Sequence, residues 1–169
     1  MNNHLMTEPH VDLERYLGLW FEIARKPMRH EDAGARDITA EYSLNDDGSI
    51  KVLNSCINEK HELERAEGKA TAVDDSNARL EVSFLPEALQ WVPFTKGDYW
   101  IIKVAPDYQT ALVGEPSRKY LWLLHRHGHL DRAVAEQWLG LAREQGYDLA
   151  DLIWPEQTGA VYPASQSEV

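Results

Sequence analysis

The chain has a single cysteine, Cys56, among its 169 residues. No intrachain disulfide can form, so the fold must stand on packing alone. Positive charge is also scarce: 17 Lys and Arg face 28 Asp and Glu, for a net charge of −11. Nucleic acid needs a basic footprint to neutralise its phosphates, and that partner class is excluded. No apolar run approaches the ~20 residues that a membrane-spanning helix requires. The opening stretch MNNHLMTEPHVD has no basic segment, no apolar core and no cysteine that could accept a lipid. The expectation is therefore a soluble chain, cytoplasmic as written or periplasmic if a leader has been trimmed. Gly-X-Gly loops, phosphate cradles and paired acid motifs are missing as well, so no local mark of an enzyme stands out.

What is present is an ordinary globular composition, 43% apolar and 27% charged, at a length that suits one domain. Short apolar or alternating runs recur with turn signals between them: FEIAR (21–25), DITAEYSL (37–44), IKVLNSCI (50–57), AEGKATAV (66–73), RLEVSFL (79–85), YWIIKVA (99–105), YQTALVG (108–114) and YLWLLHR (120–126). RLEVSFL has strict period two, with Leu80, Val82 and Phe84 on one face. The period then changes. In DRAVAEQWLGLAREQGYD, Val134, Trp138 and Leu141 share a helical face, Asp131 is a plausible N-cap and Gly146 a plausible stop. LIWP (152–155) could add a short ninth strand. Residues 1–10 read as a flexible leader and 158–169 as a disordered tail.

Eight consecutive antiparallel strands without a long crossover have exposed edges unless they close. The expected fold is all-β: an eight-stranded antiparallel up-and-down β-barrel with one C-terminal α-helix packed outside. A two-sheet sandwich would need Greek-key crossings, and no connection is long enough to suggest them. A barrel of this size can hold one small ligand.

Three stretches carry a family resemblance. YLGLWFEIAR resembles the first-strand signature of the lipocalin family, Gly-X-Trp, in Gly18 and Trp20. APDYQTALV resembles the second signature, opened by Asp107 and Tyr108, and YLWLLHR the third, ending in Arg126. The resemblance runs from Val11 to Gln157. Within the family it is nearest the bacterial group, which is similar to animal apolipoprotein D; IKVLN, RLEVSF, YWII and Trp122 are further matching pieces. It implies a calyx closed at one end and open at the other. Trp20 would close the floor beneath the Arg126 guanidinium, with Gly18 leaving room for that approach.

Strand parity then nominates the cavity wall. With Arg126 inward, Leu124, Trp122 and Tyr120 follow. With Trp20 inward, Glu22 and Ala24 share its side. The family pattern adds Tyr42 and Ala40 on the second strand and Asn54 and Val52 on the third, and Leu80, Val82 and Phe84 form the apolar face of the fifth. Asn54, Tyr42 and Lys103 are candidates to orient a head group near the rim. Glu22 is expected low in the barrel, bonded to a neighbouring strand. In the connector LPEALQWVPFTKGD, Leu89, Trp91, Val92 and Phe94 form an apolar lip that meets ligand, membrane surface or a partner subunit, or folds back as a cap. A homodimer through such a surface stays open.

The implied function is non-enzymatic storage or transport of a fatty acid or lysophospholipid, with no cofactor and no metal. The alternative is an enzyme or a redox, metal or haem module on the same barrel. It would use Cys56 or the HRHGH histidines His125, His127 and His129, whose alternate spacing could align ligands on one face. Gly128 and the role of Arg126 favour a turn there, and no base adjoins Cys56 in sequence. Bacterial members of the family are commonly anchored at the outer membrane, but the opening residues lack the matching anchor.

Overall fold

In this computed structural model each strand pairs antiparallel with its successor, and the eighth returns to the first. The structure describes residues 5–27, 34–84 and 96–161. A one-turn helix, α1 (Leu13–Tyr16), leads into β1 (Gly18–Arg25) and β2 (Arg36–Leu44). Then come β3 (Ile50–Ile57), β4 (Leu63–Ala72), β5 (Arg79–Phe84) and β6 (Lys96–Val104). β7 (Thr110–Gly114), β8 (Leu121–His125) and α2 (Arg132–Glu144) complete the order. The closed up-and-down barrel with an outer helix is the fold that the strand pattern predicts. Closure pairs every strand with two neighbours, which explains why an acidic chain without disulfides can rely on strand pairing.

Alternation sorts side chains into two cores. Along β8, Trp122 and Leu124 face the barrel interior, whereas Leu121 and Leu123 pack outward beneath α2. The helix is capped as expected: the Asp131 carboxylate accepts the Ala133 N–H, and Gly146 takes a positive φ of 96° just beyond the end. Its buried face is shifted from the expected one. Ala135, Leu139 and Ala142 are buried, while Trp138 and Leu141 pack at the flank. Small alanines let the helix axis approach the wall, and the larger residues seal the groove at its side. The α1 turn was not foreseen; Asp12 caps it by accepting the Glu14 N–H.

Both chain ends are tied to the barrel where they are described. Leu5 is buried in the outer core, and the Glu8 N–H donates to the Ile101 carbonyl at 3.0 Å. At the other end, the β1–β2 ladder stops at Phe21 and Thr39, and the C-terminal strap fills the split beyond it. Ile153 exchanges backbone hydrogen bonds with Arg25, so LIWP contributes a single bridge rather than a strand. The Gln157 amide donates to the Glu22 and Ile38 carbonyls at 2.8 and 2.9 Å, one on each side of the split. Thr158 then binds the buried Asp37 carboxylate through its N–H and its hydroxyl.

The turn from β7 to β8 is pinned to α2 by Tyr147. Its hydroxyl donates to the Tyr120 carbonyl at 2.8 Å and accepts the Glu115 N–H at 3.1 Å. A Cβ on Gly114 would stand 2.2 Å from that hydroxyl. Gly114→Ala is therefore expected to cost about 1–3 kcal/mol by expelling Tyr147. Gly140 sits within α2 with open space around its Cα. Gly140→Ala is expected to gain about 0.5–1 kcal/mol from helix propensity. Urea unfolding of both variants checks the opposite signs.

Candidate functional site

The floor is built first, because it sets which way the strands face. Trp20 is fully buried, and the Arg126 guanidinium carbon lies 3.7 Å from its ring centroid. The guanidinium also donates to the carbonyls of Tyr108, Leu19 and Arg15 at 3.0, 3.0 and 2.8 Å. The Trp20 indole N–H donates to the Tyr16 carbonyl at 2.8 Å. Gly18 has φ of 103°, and a Cβ there would stand 3.3 Å from Arg126 Nη1. Both the backbone conformation and the space call for glycine.

Above the floor, Ala40, Tyr42, Val52, Leu80, Val82, Phe84 and Leu124 belong to the inner core, on the side expected of them. Asn54 pairs across the ladders with Ala40 and Ala66 and shares their face. Trp122 packs on the same core, and Tyr120 stacks over it with ring centroids 6.3 Å apart. Leu89, Trp91, Val92 and Phe94 lie outside the described residues.

Two expected cavity residues point the other way, each because of a β-bulge. The β1–β8 register shifts between Glu22 and Ala24, so Ala24 opposes Leu123 and joins the outer core. Arg25 then opposes Trp122 and faces inward. On β6 the register shifts between Ile101 and Lys103, so Lys103 opposes the outward Leu112 and is exposed. One extra residue on a strand reverses the parity of everything after it. Lys103 therefore cannot orient a head group inside the barrel.

Parity counted back from Ile101 would have found Tyr99, which the sequence reading left out. Its hydroxyl lies 2.7 Å from those of both Tyr16 and Tyr42, linking α1, β2 and β6 in one chain above the floor. Burial raises the pKa of all three phenols, which stay protonated. From Ala66 onward the inward side of β4 is small: Ala66, Gly68, Ala70 and Ala72. Asn54, Tyr99 and Trp122 face inward and are still only half-buried. Small residues thus line one wall, and incompletely covered polar and aromatic residues stand on the others.

The alternative chemistries are placed as follows. Cys56 is buried in the inner core, opposite Glu64 across the β3–β4 ladder. His125 faces outward, with Nδ1 2.8 Å from the Thr110 hydroxyl and its ring against the edge of His127. Among the described residues no three His, Cys, Asp or Glu side chains stand together as a metal-holding group.

A family model described as a lipocalin-like domain matches residues 11–157. Temperature-induced lipocalin-1 from Arabidopsis thaliana is 42% identical over 146 residues, covering 84% of this chain and 77% of the plant protein. The outer membrane lipoprotein Blc of Citrobacter freundii is 42% identical over 151 residues, covering 88% of this chain and 81% of its own length. Lobster apocrustacyanin A1 superposes with a TM-score of 0.70 at 12% identity, covering 100% of this chain and 99% of that one, a likeness of fold alone.

The inner wall also carries a charge pair. Glu22 and Arg25 are both buried, with Oε2 and Nε 3.4 Å apart. The expectation that Glu22 bonds a neighbouring strand fails: Oε2 has no hydrogen-bond partner among the described residues, and its ion pair is on its own strand. Burial pushes the Glu22 carboxyl up to about 7, against the pull of Arg25. A folded-state pKa above the unfolded value means that the folded chain holds this proton more tightly. The resulting stability is full below about pH 4.5 and is lost as pH rises through about 7. Glu22→Gln removes the titration, so the variant is expected to gain on the wild type between about pH 5 and about pH 8. Urea unfolding at both pH values checks it; a constant difference would refute it.

Proposed function

Since the chain belongs to the lipocalin family, whose members bind small hydrophobic molecules, we propose that its barrel stores or transports a fatty acid or lysophospholipid without catalysis. The observation that carries this reading is the inner wall: apolar side chains from all eight strands, kept small along β4, over a floor sealed by Trp20 and Arg126. Such a wall, mostly apolar with a few polar groups, suits an alkyl tail. Asn54 and Tyr42 are the neutral polar groups on it that remain from those first nominated. Among the described residues no helix is long and apolar enough to cross a membrane. The proposal places a carrier beside a membrane surface, in keeping with the bacterial relative's name, and includes pairing of two copies through the apolar connector sequence around Trp91 and Phe94.

Burial of each methylene contributes about 0.8 kcal/mol, or about fourfold in Kd. Titration calorimetry with saturated monocarboxylates and with lysophospholipids of increasing chain length is expected to show that step until the tail outgrows the barrel. Absence of binding, or an affinity indifferent to chain length in both series, would refute the reading.

A further inference from the structure

Three phenols meet on the inner wall near the floor. Tyr42 stands opposite Gly18 across the β1–β2 ladder, Tyr16 enters from α1, and Tyr99 reaches in from β6. The Tyr99 hydroxyl lies 2.7 Å from each of the other two. Every phenol has one proton to donate. Two contacts use two protons, so the chain of three holds one donor in excess, whichever way its bonds run. No other acceptor among the described residues takes that third proton.

The excess sits where it is costly. Tyr16 and Tyr42 are only 2% and 6% exposed, whereas Tyr99 faces inward and is half-buried. Water can satisfy the third proton. A guest that displaces the water must bring an acceptor of its own or leave a donor unmet.

Charge is unwelcome at this level. Burial raises the pKa of all three phenols and outweighs the pull of Arg126 on Tyr16 and Tyr42. The Glu22 carboxylate pushes Tyr42 the same way as burial does. The Arg126 guanidinium is itself taken up by the Trp20 face and by the carbonyls of Tyr108, Leu19 and Arg15. The phenols therefore donate as neutral groups, and a carboxylate brought among them would meet the same desolvation cost.

Resting on the reading of the barrel as a lipid site, we propose that the tyrosine chain is a deep subsite for one uncharged acceptor oxygen at the inner end of the guest. Tyr16 and Tyr42 donate to Tyr99, and Tyr99 donates to the guest. The two bonds accepted at its oxygen polarise its O–H and strengthen it as a donor. The guest is thus an acid or lysolipid whose tail carries a carbonyl or ether oxygen near its far end. A hydroxyl is the poorer match, since it adds another proton to a chain that already has one too many.

Dodecanoate, tetradecanoate and hexadecanoate, each beside its counterpart with a carbonyl next to the terminal methyl, isolate that oxygen. Calorimetry on the full chain is expected to show the oxo acid binding about two- to tenfold tighter than the plain acid at the length that reaches Tyr99. An apolar wall alone gives the reverse order at every length, because the carbonyl gives up water and finds no partner. The carbon-13 carbonyl stretch of the bound oxo acid is expected below its position in hexane. Tyr99→Phe is expected to reverse the preference and return the stretch to the hexane position. Tyr42→Phe leaves the Tyr99 hydroxyl in place and is expected to retain both signs. Two wild-type outcomes overturn the subsite and leave the barrel reading standing: plain acids that bind as well or better at every length, or a bound carbonyl that stretches as in hexane. A preference that persists in Tyr99→Phe assigns the oxygen to another donor and overturns it too. If neither acid series binds while lysophospholipids do, the subsite falls alone; if nothing binds, both readings fall.

Discussion

Stacking of Arg126 on Trp20 is the contact on which the rest of the barrel depends. It joins β1 to the end of β8, the two strands whose meeting closes the sheet. It also absorbs guanidinium donors into backbone carbonyls that would otherwise be left at strand and helix ends. A planar cation with donors around its edge is suited to this task, since it presents a face to the indole and an edge to the backbone. Gly18 follows from the stack, because the β1 backbone passes where a side chain would meet the guanidinium.

Above the floor, the two bulges decide what the cavity is made of. A regular β1 would have kept Ala24 inside and Arg25 outside, giving a blander wall with a lone buried Glu22. A regular β6 would have set a lysine inside. The bulges reverse both placements, so Arg25 stands beside Glu22 on the inner wall and the exposed lysine stays in water, where its charge is cheaply solvated. The split between β1 and β2 is a further departure from a regular barrel. It is closed by the strap, with one glutamine amide bridging two carbonyls that have no partner strand.

Packing given up on the inner wall is restored in the outer core. The inner face of β4 contributes little volume, so dispersion contacts are forgone there. On the far side of the wall, α2, Tyr147 and the N-terminal Leu5 cover Leu112, Leu121 and Leu123 in a second, closely packed layer. The wall is thus lightly filled along the inner face of β4 and doubled on its outer side.

The strand order, the helix after the eighth strand, its cap at Asp131, and the floor of Gly18, Trp20 and Arg126 were legible in the sequence. Each depends on local periodicity, on a turn or cap residue, or on a short signature. So were most wall residues, since parity holds wherever a strand is regular. Ala24, Arg25 and Lys103 were not legible, because a bulge changes register through pairing with a neighbouring strand and leaves no mark in its own residues. The buried face of α2 escaped for a related reason: apolarity names the large residues, but the curvature of the wall beneath chose the small ones. The strap and the tyrosine chain join positions more than fifty residues apart, which only the closed barrel brings together. Sequence determined the container; tertiary pairing decided which charges were placed inside it.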